Sequence, residues 1–183
     1  MFRRLGLGVC LRRVLGVAVL WCLCLGVGAA FAADGDLDLS FGGTGFVFTD
    51  FPGTNAEARA SALQSDGRLV VVGWLEGDFV VARYNSDGSL DTSFDGDGKV
   101  TTDFGGFNDS ANAVAIQSGG KIVVAGGSDG DFAVARYNPD GSLDNSFGSG
   151  GKVTTDFGGF NDSANAVALQ SDGRIVVAGT GGS

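Results

Sequence analysis

The chain has 183 residues, 44% of them hydrophobic, with 33 glycines, two prolines, no histidine and a formal net charge of −9. All three cysteines (Cys10, Cys22, Cys24) and the single methionine lie near the N-terminus, so the rest of the chain has neither thiol nor imidazole. That excludes Ser-His-Asp and Cys-His nucleophilic centres, His-ligated zinc and haem from the body of the protein.

The first segment differs from everything after it. It carries Arg3, Arg4, Arg12 and Arg13 but no acid, then an apolar run from Val14 to Phe31, then Ala30-Phe31-Ala32 ahead of the acidic Asp34. A basic start, an apolar stretch and a small-x-small end read as a secretory signal peptide over residues 1–32. The rival reading is an uncleaved anchor, because roughly 18 apolar residues can just span a bilayer. The arginine pairs lack a twin-arginine pattern, and no cysteine follows a small residue as lipoprotein processing requires. The sequence therefore predicts Sec export and a mature chain that starts at Ala33. That mature part holds 21 acidic residues against eight basic ones, a net charge of −13. A field of that sign repels phosphate backbones and anionic lipid, so neither nucleic acid nor, after signal cleavage, a membrane is expected as a partner.

Residues 33–183 form a repeat region with a period of 53, divided as 34–86, 87–139 and a truncated 140–183. Asp34-Gly35, Asp87-Gly88 and Asp140-Gly141 set the register, and Ser40-Phe41, Ser93-Phe94 and Ser146-Phe147 keep it. Gln64, Gln117 and Gln170 align, as do Gly73, Gly126 and Gly179. The second and third units are nearly identical, since Lys99 to Ser118 and Lys152 to Ser171 differ only at Ile116 and Leu169. The first unit diverges, with Pro52, Glu57 and Trp74 in place of Gly105, Ser110 and Gly127.

Each unit shows four strand candidates, in the second unit Lys99 to Phe104, Ala111 to Gln117, Lys121 to Gly126 and Phe132 to Tyr137. They are short, rich in β-branched or aromatic residues, and fenced by Gly, Asn, Asp or Ser. Asp66-Gly67, Gly119-Gly120 and Asp172-Gly173 read as two-residue type I′ turns between the second and third strands. Ile122-Val123-Val124-Ala125 is continuously apolar, which predicts cover on both faces. Alternation places Ala111, Ala113 and Ala115 on one face and Val114 and Ile116 on the other. Sheets apolar on both faces, repeated at a period near 50, match stacked propeller blades better than a sandwich or a solenoid. The expected fold is all-β, with four-stranded antiparallel meanders as propeller-type blades, one per 53-residue repeat.

The run Arg136-Tyr137-Asn138-Pro139-Asp140-Gly141-Ser142-Leu143-Asp144-Asn145-Ser146-Phe147-Gly148, with Gly151-Lys152-Val153 and Asp172 to Gly179, resembles the delta-60 repeat family. The resemblance covers Asp34 to Gly179 and implies a bacterial β-propeller repeat of exported and surface proteins. It implies no catalytic residues. About 2.8 units are present, against four to eight blades in closed propellers, so the sequence predicts a fragment of a longer protein. The third unit stops before its fourth strand, and open blade edges of that kind invite self-association.

Asp91, Asp95 and Asp97 crowd one loop with an oxygen-rich spacing suited to calcium, and no other cofactor is expected. The counterparts of Asp95 and Asp97 are Gly42 and Thr44, then Gly148 and Gly150, which favours a structural turn and folding without calcium. Asp38, Asp91 and Asp144 are expected to accept hydrogen bonds from the inter-blade loop, and Asp103 to pair with Arg136. Phe94 and Leu90 read as plugs of the core between blades. Trp74 reads as packing, with sugar stacking as the sharper alternative. Asn108-Asp109-Ser110 and Asn161-Asp162-Ser163 are glycosylation sequons, relevant only in a eukaryotic host. Together these point to an exported, non-enzymatic module with a structural or binding role at the cell surface or outside the cell, its partner a protein or a glycan. The alternative is a carboxylate- or calcium-dependent hydrolase or lyase acting on polysaccharide. Arg59, Trp74 and Glu76, where the first unit breaks the repeat, keep that alternative open.

Overall fold

The computed structural model describes residues 35–52, 55–159 and 161–182, so the expected signal peptide lies outside the described residues. The chain divides into two compact units, one ending at Thr49 and one running from Asp50 to Ser183. The described part of the first is a loop closed by its own backbone. Phe41 N–H donates to Asp38 O (3.0 Å) and Gly45 N–H to Phe41 O (2.7 Å). The same loop returns twice in the second unit, with Phe94 on Asp91 and Gly98 on Phe94, then Phe147 on Asp144 and Gly151 on Phe147.

Among the described residues, the regular elements of the second unit are all strands. Its elements are β1 (Ala56–Leu63), β2 (Leu69–Leu75), β3 (Asp78–Tyr84), β4 (Lys99–Thr102), β5 (Asp109–Ile116), β6 (Ile122–Ser128), β7 (Asp131–Tyr137), β8 (Lys152–Thr155), β9 (Ser163–Leu169) and β10 (Ile175–Thr180). They form two four-stranded antiparallel sheets, β1-β2-β3-β4 and β5-β6-β7-β8, and a two-stranded sheet of β9 and β10. The all-β, propeller-type blade architecture expected from the repeat is what the chain adopts.

The sheets do not coincide with the repeats. The first strand of each 53-residue unit crosses over: β4 pairs with β3, and β8 with β7. A blade thus takes three strands from one unit and its outermost strand from the next. Neighbouring repeats are thereby stitched by main-chain hydrogen bonds. Residues 46–49, the counterparts of β4 and β8, are not strand. β4 and β8 are strands because β3 and β7 stand beside them.

The hairpin turns differ from expectation in where the left-handed residues fall. In the Asp66-Gly67 and Asp172-Gly173 loops only the glycine has positive φ (86° and 85°). The loop is one residue longer than a two-residue turn, closed by Gly67 N–H to Gln64 O (3.0 Å) and Gln64 N–H to Arg68 O (2.8 Å). Asp66 instead accepts the Arg68 N–H (3.1 Å). Gly119-Gly120 has two positive φ values (87° and 81°) within the same longer loop, while two-residue turns with two positive values are Glu76-Gly77 (50° and 100°) and Asp129-Gly130 (46° and 94°), one hairpin later. There Leu75 pairs directly with Asp78, and Ser128 with Asp131, which is the geometry type I′ turns serve.

A bulge explains the recurring glycines. In β1, β5 and β9 one extra residue, Arg59, Asn112 or Asn165, sits between paired neighbours. Opposite each bulge stands Gly73, Gly126 or Gly179. A Cβ on Gly126 would fall 1.9 Å from the Ser110 carbonyl oxygen, and one on Gly73 1.8 Å from that of Glu57. The bulge also overturns the simple alternation expected for β5. Ala111 shares a core with Val114 and Ile116 rather than with Ala113 and Ala115. An extra residue exchanges the two faces beyond it.

The core lies between sheets. Val70, Val72, Phe79 and Val81 of the first sheet meet Ala111, Ile122, Val124, Ala135 and Tyr137 of the second. The other face of the second sheet, through Val123, Ala125 and Val134, packs on Ala164, Val167, Leu169 and Val177. Ile122 to Ala125 are all fully buried, as their unbroken apolar run predicts. Phe94 is a buried plug in this core, while Leu90 is half-buried and forms an isolated bridge with Tyr84.

Candidate functional site

Polar side chains concentrate at the seams between sheets, in three sets that recur at the 53-residue offset. The first is a cationic clamp. Asp91 Oδ2 accepts from Arg83 Nε (2.7 Å) and forms an ion pair with Arg68 Nε (3.0 Å), while Oδ1 accepts from Ser93 N (3.0 Å) and Ser93 Oγ (2.6 Å). One unit later, Asp144 holds Arg136 Nε (2.7 Å), Lys121 Nζ (2.6 Å), Ser146 N (3.1 Å) and Ser146 Oγ (2.7 Å). Asp38 takes the corresponding contacts from Ser40 N (3.0 Å) and Oγ (2.6 Å). The expected acceptor role of these three aspartates is thus present.

Burial opposes ionisation of Asp91, yet the Ser93 bonds and the Arg83 and Arg68 charges hold its carboxyl below the usual value. The bond from Lys121, reinforced by those from Ser146 and Arg136, holds Asp144 well below the carboxylate range. Arg83 also stacks over Phe94 (4.6 Å to the ring centroid) and donates to the Pro139 carbonyl (2.6 Å), tying one blade to the loop that leaves the next.

Asp95 and Asp97 stand apart from that clamp. The Asp95 N–H donates to Asp140 O (2.7 Å), with φ of 51°, and Asp97 is an exposed partner of Lys99. With both Asp91 oxygens engaged by cations and Ser93, the three aspartates singled out for calcium are not brought together as one donor set. Arg136 belongs to Asp144, so the Asp103–Arg136 pair expected from the sequence does not form.

The second set lines the bulged strands. Arg59 Nη1 donates to Ser110 Oγ and to Asn112 Oδ1 (2.8 Å), and Asn112 Nδ2 donates onward to Ser163 Oγ (3.1 Å) and Ala164 O (2.9 Å). The extra residues of the first two bulges therefore reach the next bulged strand. Arg59, which breaks the repeat, is a peg in this ladder. Trp74 is half-buried on β2, opposite Phe79 and Glu57 in the ladder. Glu76 occupies the left-handed turn before β3.

The third set was missed in the sequence because its members are far apart there. Asp78 opens β3, Asp103 follows β4, and Asp109 opens β5 of the next sheet. One carboxylate oxygen from each lies within 4.8 Å of the others, and Asp131, Asp156 and Asp162 repeat the arrangement. The connecting loop is pinned by Asp129, which accepts from Phe107 N (2.9 Å) and Asn108 N (3.2 Å). Asp109 is fully buried. Its N–H donates to Gly77 O (2.7 Å), and its Oδ2 accepts from Phe104 N (2.7 Å). Burial raises the Asp78 carboxyl above its usual value, and the Asp103 and Asp109 charges add to the rise. The sequence signal that could have found this set was the 53-residue recurrence of all three aspartates.

Residues 64–94 and 117–147 match the family model described as a domain of unknown function (DUF5122) beta-propeller. The two matches start 53 residues apart, in the register read from Gln64 and Gln117. Each runs from the glutamine before the hairpin, through β2 and β3 or β6 and β7, to the core phenylalanine of the following loop. A search of curated proteins found no match.

Proposed function

We propose that the chain is an exported, delta-60-type propeller module that holds and presents surface loops for binding and has no reaction of its own. The supporting observation is the repetition of its polar chemistry. Arg83, Asp91 and Arg68 have Arg136, Asp144 and Lys121 as counterparts, and both three-aspartate sets have the same strand addresses. A single active site is asymmetric, whereas a group copied in every unit serves the unit. The residues that break the repeat fit this reading too, since Arg59 bonds to the neighbouring strand and Trp74 lies within a β-ladder. What the module offers a protein or glycan partner is its loops. Phe107 is 91% exposed on a loop whose backbone Asp129 holds.

The reading is tested on the secreted chain. Its mass should place the N-terminus at or near Ala33, and a retained Met1 would sink the export proposal. Panels of glycans and envelope proteins should show saturable binding that Phe107→Ala weakens. Turnover of an ester, peptide or polysaccharide that survives repurification and is lost in Glu76→Gln would overturn the non-enzymatic reading.

A further inference from the structure

We propose that Asp78, Asp103 and Asp109 form a divalent-cation site, selective for calcium, that cross-links the first two sheets. Three carboxylates brought within 4.8 Å of one another repel unless a positive charge lies between them. Elsewhere this protein supplies that charge from its own side chains, two cations to each of Asp91 and Asp144. Among the described residues no ion pair reaches Asp78, Asp103 or Asp109. Lys152, which approaches the loop, gives its Nζ to the Asp103 backbone carbonyl (2.9 Å).

The second observation is the state of Asp109. The residue is 0% exposed, its Oδ2 holds the Phe104 N–H, and its Oδ1 is buried with no hydrogen-bond partner. A buried carboxylate oxygen without a donor is rare in folded proteins and asks for a ligand that can accept its lone pairs. The two remaining aspartates of the set are half-buried and exposed, which leaves an approach from solvent. At the second seam the corresponding oxygen, Asp162 Oδ1, already accepts the Gly182 N–H (2.8 Å), so the first seam is the stronger site.

The donor set selects the ion. Carboxylate oxygens without nitrogen or sulfur suit hard cations, and no histidine or cysteine stands among the described residues to favour zinc. Calcium accepts irregular coordination completed by backbone oxygens and water, while magnesium demands a near-ideal octahedron and gives up water reluctantly. Asp78 belongs to the first sheet, Asp103 to the loop that follows its last strand, and Asp109 to the second sheet. A calcium bound here would therefore resist separation of the blades.

The test is a calorimetric titration of the chelator-treated full chain with CaCl2, and with MgCl2 in parallel, together with thermal melts. Calcium should bind with a dissociation constant on the order of 10⁻⁴ M, as in extracellular modules, and raise Tm by several degrees when saturating. Asp78→Asn and the exposed Asp103→Asn should each weaken binding about tenfold or more and remove the rise. Without calcium both variants should melt at or above the wild-type temperature, because one of three repelling charges is gone; this separates loss of a site from loss of fold. Asp97→Asn should leave the calcium response unchanged. No calcium response in the wild type would overturn the proposal. So would a full response in Asp78→Asn and Asp103→Asn, or a response lost in Asp97→Asn.

Discussion

The Tyr137 hydroxyl donates to Thr102 Oγ1 at 2.8 Å, although Tyr137 belongs to β7 and Thr102 to β4 of the neighbouring sheet. Both residues are buried, and burial pushes the phenol pKa up despite the opposing pull of the Thr102 bond. The bond thus joins the sheets inside the apolar core and gives the hydroxyl of each residue its partner.

Tyr137→Phe should cost about 1 kcal/mol, because it removes the hydrogen bond and leaves Thr102 without its donor. Denaturant melts of Tyr137→Phe, Thr102→Val and the double variant form the cycle that isolates the coupling. Additive single effects would mean that the bond contributes nothing across the seam.

Gly126→Ala should destabilise by about 3 kcal/mol, at the upper end of overpacking costs, since the added carbon meets the Ser110 carbonyl at 1.9 Å. Gly127→Ala is the control. Its new carbon would meet the Ser163 side-chain oxygen at 3.1 Å, and the first unit already has Trp74 at this position. Its cost should stay within about 1 kcal/mol. Equal losses in the two variants would remove the bulge as the reason for the recurring glycine.

Asp91→Ala should cost about 3–5 kcal/mol, because the Arg83 guanidinium beside it would be left buried without its counter-charge. Asp97→Ala, at an exposed carboxylate 3.7 Å from Lys99, should change stability by about 0.5 kcal/mol or less. Urea midpoints at neutral pH decide between them. A small effect at Asp91 would reduce the clamp to a surface pair.

Acid should unfold the protein through the clamps. The folded pKa values of Asp91 and Asp144 are lowered, by the Ser93, Arg83 and Arg68 contacts against burial in one case and by Lys121, Ser146 and Arg136 in the other. The unfolded chain therefore binds these protons first. Their stabilisation is complete above the unfolded value near pH 4 and is lost as pH falls below it toward the folded values. Asp78 has the opposite sign, since its raised folded value makes its ionised form unfavourable at neutral pH and acid relieves that. The two clamps outnumber it, so Tm should drop steeply below about pH 4. Asp144→Asn should flatten that drop, and an unchanged slope would show that the clamps do not govern it.

The sequence alone determined the period, the strand positions to within a few residues, the all-β class and the two-sided burial of Ile122 to Ala125. These are local properties, written in turn residues and in side-chain spacing, and the repeat displays each of them more than once. Tertiary structure decided which strands share a sheet. Lys99 to Thr102 reads alike whether it pairs with its own unit or the preceding one, and only the position of β3 places it there. The bulge at Asn112 was hidden for a related reason, since an extra residue is defined by the strand opposite. The aspartates differ most. The sequence marked Asp91 as a loop acceptor but gave the repeated arginine to the wrong aspartate, and only the structure pairs Arg83 with Asp91, while Asp78, Asp103 and Asp109 come from two strand starts and a loop. Their carboxylates meet only because the β4 crossover and the Asp109–Gly77 hydrogen bond bring two sheets to one seam.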